Sequence, residues 1–184
     1  MKQARVKIFF VACMALIMGI LTVSSYAATA NEIDANVNAS LDRFVKEVKG
    51  AKEFLDAAKG VLIIPKVIQG GLVVGAEYGE GALRIGGKTV GYYNIVSGSF
   101  GYQIGGQQKD IILVFMSDEV LKKFRNSENW RAGADAKVTL VNIGADDSLS
   151  TMKFKEPVVG FVFAQKGLMA GLTLEGSKFT RLKK

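Results

Sequence analysis

The stretch Ala82–Thr89, ALRIGGKT, ends in Gly-Lys-Thr and carries a small residue five places before its second glycine. That is the relaxed outline of a phosphate-cradling loop, which works only when a helix starts at the Lys-Thr step. Thr89 is instead followed by VGYYNIV, where Gly91, two adjacent tyrosines, Ile95 and Val96 favour strand over helix. Gly86 and Gly87 suit a hairpin turn that needs positive φ. SGSFG around Ser99 has the outline of a nucleophile elbow without its first glycine. The chain has no histidine, which removes the usual general base near neutral pH, the Ser-His pair and the commonest zinc ligand. Asp146-Asp147 is expected to be a turn. Glu77, Glu80 and Glu175 are carboxylates that acid–base work would recruit, and their spacing alone does not bring them together. The expectation is a protein that is not an enzyme and has no cofactor and no metal.

The ends of the chain differ in kind. Lys2, Arg5 and Lys7 are the only charges before Glu32, and Ile8–Val23 is an unbroken apolar run. That run falls short of the roughly 20 residues that span a bilayer. Ser25-Tyr26-Ala27 and Ala28-Thr29-Ala30 then offer two small-residue exits. The pattern predicts a signal peptide over residues 1–30, cut after Ala27 or Ala30, and an exported protein of a Gram-negative-type periplasm. Cys13 lies too close to Lys7 to serve as a lipid attachment point. Without Lys2, Arg5 and Lys7 the net charge falls from +7 to +4. Residues 31–184 contain no cysteine and therefore no disulfide. A domain of roughly 150 residues buries about 68–70% of its unfolded surface, so a hydrophobic core suffices.

Residues 31–184 read as one α+β domain. Over 31–59, Val37, Leu41, Phe44, Val48, Ala51, Leu55 and Ala58 recur at helical spacing, predicting a long amphipathic helix stopped by Gly60. Its five basic and six acidic residues argue for packing on its own domain rather than docking on an anionic surface. From residue 60 the period changes to two. GGLVVGAEYGEG places Leu72, Val74, Ala76 and Tyr78 on one strand face, opposite Gly71, Gly75 and Gly79, with Gly81 following. SGSFGYQIGG and KGLMAGLTLEG repeat the device with Gly101 and Gly105, and with Gly167 and Gly171. Glycines four apart on a strand permit close backbone approach in a strongly curved sheet; the sharper reading is an apolar groove. Strands are also expected at Asp110–Met116, Asp135–Ile143, Leu149–Lys155 and Val158–Gln165, the last running on to a tail at Ser177–Leu182. Ser117 reads as the N-cap of a second, short helix, with Asp118 and Glu119 in its first turn. Short connections favour a mainly antiparallel, Gly-rich curved sheet or partial barrel.

Basic residues gather late: Lys122, Lys123, Arg125, Arg131, Lys153, Lys155, Lys178, Arg181, Lys183 and Lys184. From residue 60 onward there are 16 basic and 11 acidic residues. Against an anionic leaflet each cation at the surface contributes on the order of 1 kcal/mol. These residues are the candidate lipid-binding set, and nucleic acid is not expected as a partner.

The stretches AKGVLIIPKVIQGGLVVGAEYGEGAL, GYYNIVSGSFGYQIGGQ, FMSDEVLKKFRNSENWRAGADAKV and KGLMAGLTLEGSKFTRL run from Ala58 to Leu182. Together they resemble the SYLF domain family, and most closely its exported bacterial branch. The resemblance implies binding of phosphoinositides or other acidic phospholipid without catalysis, and a peripherally membrane-associated protein. Some eukaryotic members bind actin, which is not expected as a partner outside the cell. The competing expectation is a structural or scaffolding protein of the cell envelope that binds a protein partner.

Overall fold

The computed structural model describes residues 28–71, 74–100, 106–142, 155–166 and 173–184. Residues 1–27 of the expected leader, Gly101, Gly105, Gly167, Gly171, Lys153, Asp146-Asp147 and most of the strand expected at Leu149–Lys155 lie outside the described residues.

The first helix, α1 (Ala30–Glu47), starts at a capping box. The Thr29 hydroxyl accepts from the Glu32 amide, and the Glu32 carboxylate accepts from the Thr29 amide at 2.7 Å, which satisfies two donors that a helix start leaves orphaned. The long helix expected over 31–59 is in fact two. Gly50 adopts φ 84°, and α2 (Ala51–Ala57) begins after it. Helix α1 ends at the extended Val48, and Gly50, the N-cap of α2, turns the chain in a left-handed conformation that glycine takes without a Cβ penalty. The buried stripe passes through Ile33, Val37, Ser40, Phe44, Val48, Ala51 and Phe54. Leu41, Leu55 and Ala58 flank it, packed on the core but only partly buried.

Eight strands form one sheet: β1 (Gly60–Gly71), β2 (Val74–Ile85), β3 (Lys88–Phe100), β4 (Gln107–Phe115), β5 (Asn129–Arg131), β6 (Thr139–Asn142), β7 (Val158–Lys166) and β8 (Lys178–Leu182). Their order is β5-β8-β3-β2-β1-β4-β7-β6. Every pair is antiparallel except β6–β7. The tail strand does not continue β7 as expected. It pairs with β3 and β5, near the other edge. The edge strands β5 and β6 are joined by residues 132–138 alone. Seven extended residues reach at most about 25 Å, so the sheet curls back on itself into a half-barrel. The β2–β3 turn at Gly86-Gly87 has φ 55° and 77°, the primed hairpin expected from GGKT.

Two cores occupy the two faces of the sheet. The inner one holds Leu62, Ile64, Leu83, Tyr93, Ile111, Leu113, Phe115, Trp130 and Phe179, closed by Leu121 and Phe124 of helix α3 (Asp118–Asn126). Ser117 caps α3 as its sequence predicts. The outer core packs α1 and α2 on Val61, Ile63, Ala82, Ile112, Val114, Phe161 and Phe163. The Phe44 ring meets Phe161 edge-on at 4.9 Å, and Phe54 does so at 5.1 Å.

Sharp bends set the curl. In β1 an extra residue at Pro65-Lys66 breaks the register between Ile63 and Ile68. Lys66 sits at φ 52°, and Ala164 of β7 at φ 51° faces a second register shift. Asp110 of β4 lies between these bulges and is fully buried. It accepts from the Lys66 amide (2.9 Å) and the Ser40 hydroxyl (2.7 Å), and pairs with Arg43. Opposite the β1 bulge, Gly79 and Gly81 face inward. A Cβ on Gly81 would stand 1.9 Å from the Ile63 carbonyl oxygen. The alternating glycines of this strand are therefore sites of close backbone approach.

Candidate functional site: a basic sheet edge

Strands β5 and β8 collect the late basic residues. Arg131 lies directly across from Lys178, and Tyr93 of β3 directly across from Arg181. Phe179 and Trp130 point into the inner core, so Lys178 and Arg131 take the outer face by strand alternation, while Arg181 shares the inner side with Tyr93. Helix α3 ends with Arg125 on that same side. Burial raises the Tyr93 hydroxyl pKa, and the positive charges of Arg181 and Arg125 pull it back.

A groove of about 1080 Å³ runs along this edge. Thr89 and Tyr92 of β3, Asn129 of β5, Thr180 and Arg181 of β8, and Lys183 line it. Asp34 and Glu128 also border it. Asp34 is already engaged, accepting from the Thr89 and Tyr92 hydroxyls at 2.8 Å each. That hydrogen bond raises the Tyr92 pKa. Lys184 is engaged as well: its ammonium donates to the Ala28 carbonyl (2.6 Å) and to Glu80 (3.1 Å). Its side chain is only 11% exposed although the terminal backbone is open. Among the described residues Arg131, Lys178, Arg181 and Lys183 form no ion pair.

The other expected cations are dispersed. Lys122, Lys123 and Arg125 are exposed on α3, where Lys123 pairs with Glu119 at 2.9 Å. Lys155 precedes β7, toward the opposite edge of the sheet. Gly71 and Gly75 pair with each other at the β1–β2 end, and Gly75, Gly79 and Gly81 are buried on the inner face.

The three candidate carboxylates do not converge. Glu77 faces inward and accepts from the fully buried Lys109 at 2.7 Å. Glu80 sits on the outer face with Lys184 and the Tyr78 hydroxyl. Glu175 is exposed beside Gly133. Among the described residues no three His, Cys, Asp or Glu side chains gather as a metal site, and no helix is long and apolar enough to cross a membrane.

Sequence reasoning missed Asp110 with its Ser40–Arg43 cradle, and the Glu77–Lys109 pair. Lys109 and Asp110 sit at the polar start of β4, QQKD, and Glu77 shares β2 with Glu80 and Arg84, so no local pattern singles these charges out as buried.

Residues 96–184, just under half of the chain, match the family described as Ysc84, Las17-binding protein actin regulator. No curated protein matches the chain. That family is related to lipid and actin binding and is not a known enzyme family.

Proposed function

Residues 96–184 belong to the Ysc84 (SYLF) family, and from that premise we propose that this protein is a non-enzymatic binder of acidic phospholipid, exported to the cell envelope. The observation that carries the reading is the β5–β8 edge. Arg131 and Lys178 stand on its outer face, and Arg181 and Lys183 line a groove that also carries the Thr89, Tyr92 and Thr180 hydroxyls; none of the four has an ion-pair partner among the described residues. Phosphate oxygens are the ligands such donors recognise.

Magnitude limits the mode. Four cations at a leaflet supply about 4 kcal/mol, which corresponds to an affinity near 1 mM. Docking by charge alone is therefore weak and reversible by salt. The test is binding to phosphatidylcholine vesicles containing phosphatidylglycerol, comparing the native chain with the combined Arg131→Glu, Lys178→Glu and Arg181→Glu variant. The reading expects the variant to lose most of its binding while keeping its thermal midpoint. Equal binding by both proteins would contradict the assignment of the edge.

A further inference from the structure

Helix α1 crosses the outer face of the sheet. Its N-terminal half reaches Thr89, Tyr92 and Arg84, its middle reaches Lys66 and Asp110, and Phe44 reaches Phe161 and Phe163 on β7. It covers that face only on one side of the Pro65-Lys66 bulge. Beyond the bulge no described residue packs over the same face.

One row crosses the bare end from edge to edge. By strand register Arg131 is next to Lys178, then Val96, Tyr78, Ile68, Gln108 and finally Lys166. Its centre is apolar and wet. Ile68 is 61% exposed, Tyr78 49% and Val96 44%, and these are three of the four large hydrophobic side chains exposed among the described residues. The next row outward pairs Gly70 with Ala76 and Ala76 with Gly98, a flat surface where a Cβ on either glycine would meet nothing within 4 Å. Both ends of the long row are cationic, and the row contains no carboxylate. Glu80, the nearest acid on this face of β2, is occupied by Lys184 and the Tyr78 hydroxyl.

We propose that this bare ledge is the surface that meets an anionic bilayer, with Ile68, Tyr78 and Val96 entering the headgroup boundary while Lys178 and Arg131 on one side and Lys166 on the other hold lipid phosphates. The proposal rests on the acidic-lipid reading above and assigns it a face and an apolar anchor. Contiguous exposed apolar side chains rimmed by charge mark an interaction surface rather than a random scatter. The rim selects the partner. Two copies related by a two-fold axis would set cation against cation at both ends, whereas an anionic leaflet complements both. A tyrosine at the centre suits the membrane interface, since its ring is apolar and its hydroxyl is satisfied. An apolar anchor also supplies the affinity that four cations alone do not reach.

The test compares native chain, Ile68→Ser with Val96→Ser, and Val96→Asp for binding to phosphatidylcholine–phosphatidylglycerol vesicles, with thermal midpoints and sedimentation velocity on each. Both positions are solvent-exposed, so the fold should persist. The ledge assignment expects binding at least tenfold weaker in both variants, and residual binding of the native chain at high salt that the variants lack. A second measurement does not depend on affinity. In the chain beginning at Ala28, which contains no cysteine, an environment-sensitive fluorophore on Val96→Cys should shift to the blue on vesicles, while one on Lys88→Cys, at the opposite end of the sheet, should not. If the native chain binds vesicles but the ledge variants bind within twofold of it and the Val96 label stays unshifted, the ledge assignment is overturned and the lipid reading survives. A dimer that Val96→Asp dissociates, with vesicle binding intact, gives the ledge to a second copy and also overturns it. No binding of the native chain to any vesicle removes both readings.

Discussion

Asp110 joins the N-terminal helix to the bend of the sheet. Three donors converge on it, from Ser40, the Lys66 backbone and Arg43, and it is fully buried while Arg43 remains partly exposed. Because Arg43 is partly solvated, losing this ion pair costs less than the roughly 3–5 kcal/mol of a fully buried one. Asp110→Ala also strands a serine hydroxyl and the amide that the bulge at Lys66 aims inward. It is expected to lower stability by about 3 kcal/mol in urea unfolding, with Asp110→Asn recovering part of the loss. Tyr93 offers a pH test at the same scale. Burial, the largest influence, favours its neutral form and places its pKa above the ordinary 10.0, with Arg181 and Arg125 opposing. The stability this contributes is complete below the unfolded pKa and disappears as pH rises through the raised folded value. Tyr93→Phe should therefore flatten the fall in thermal midpoint as pH rises above about 10. A fall as steep as in the native chain would contradict this.

At the scale of elements, helix α1 begins where one expected cleavage site ends. Thr29 forms the cap with Glu32, Ala28 packs against the outer core, and the Ala28 carbonyl receives the Lys184 ammonium. Cutting after Ala30 would remove all three; cutting after Ala27 keeps them. On the export reading, the mature protein should begin at Ala28, as intact mass would report, and Thr29→Ala should cost about 1 kcal/mol. A mass beginning at Asn31 would contradict it. Much of this level was legible in the residues. Apolar spacing marked α1, Ser117 marked α3, and the alternation in GGLVVGAEYGEG separated Ala76 and Tyr78 from Gly75 and Gly79 correctly. The break at Gly50 was hidden because Val48 and Ala51 keep the apolar rhythm across it. Which face of β2 is wet was also hidden. One end of the outer face is covered by α1 and the other is uncovered by any described residue, and that depends on a helix distant in sequence. The pairing of β8 with β3 rather than with β7 is likewise long-range, and no local pattern encodes it.

The whole molecule is a curled sheet with a helix inside and helices across half its outer face. That arrangement leaves one edge basic and one end apolar, and the two share the Arg131–Lys178 pair. Of the late basic residues, Arg131 and Lys178 lie across from each other on the outer face of that edge, Arg181 and Lys183 line its groove, Lys155 is elsewhere, and Lys184 is held by Glu80. Charge counts in the sequence located the excess but not its partners, because an ion pair such as Lys184–Glu80 spans 104 positions. The central claim is recognition of acidic lipid, and co-sedimentation of the native chain with phosphatidylcholine vesicles of rising phosphatidylglycerol content, at low and high salt, tests it most directly. Binding is expected to climb with the anionic fraction, drop several-fold at high salt and keep a residual component from the apolar ledge. Binding that is absent at every composition, or equal on neutral and anionic vesicles, would contradict it.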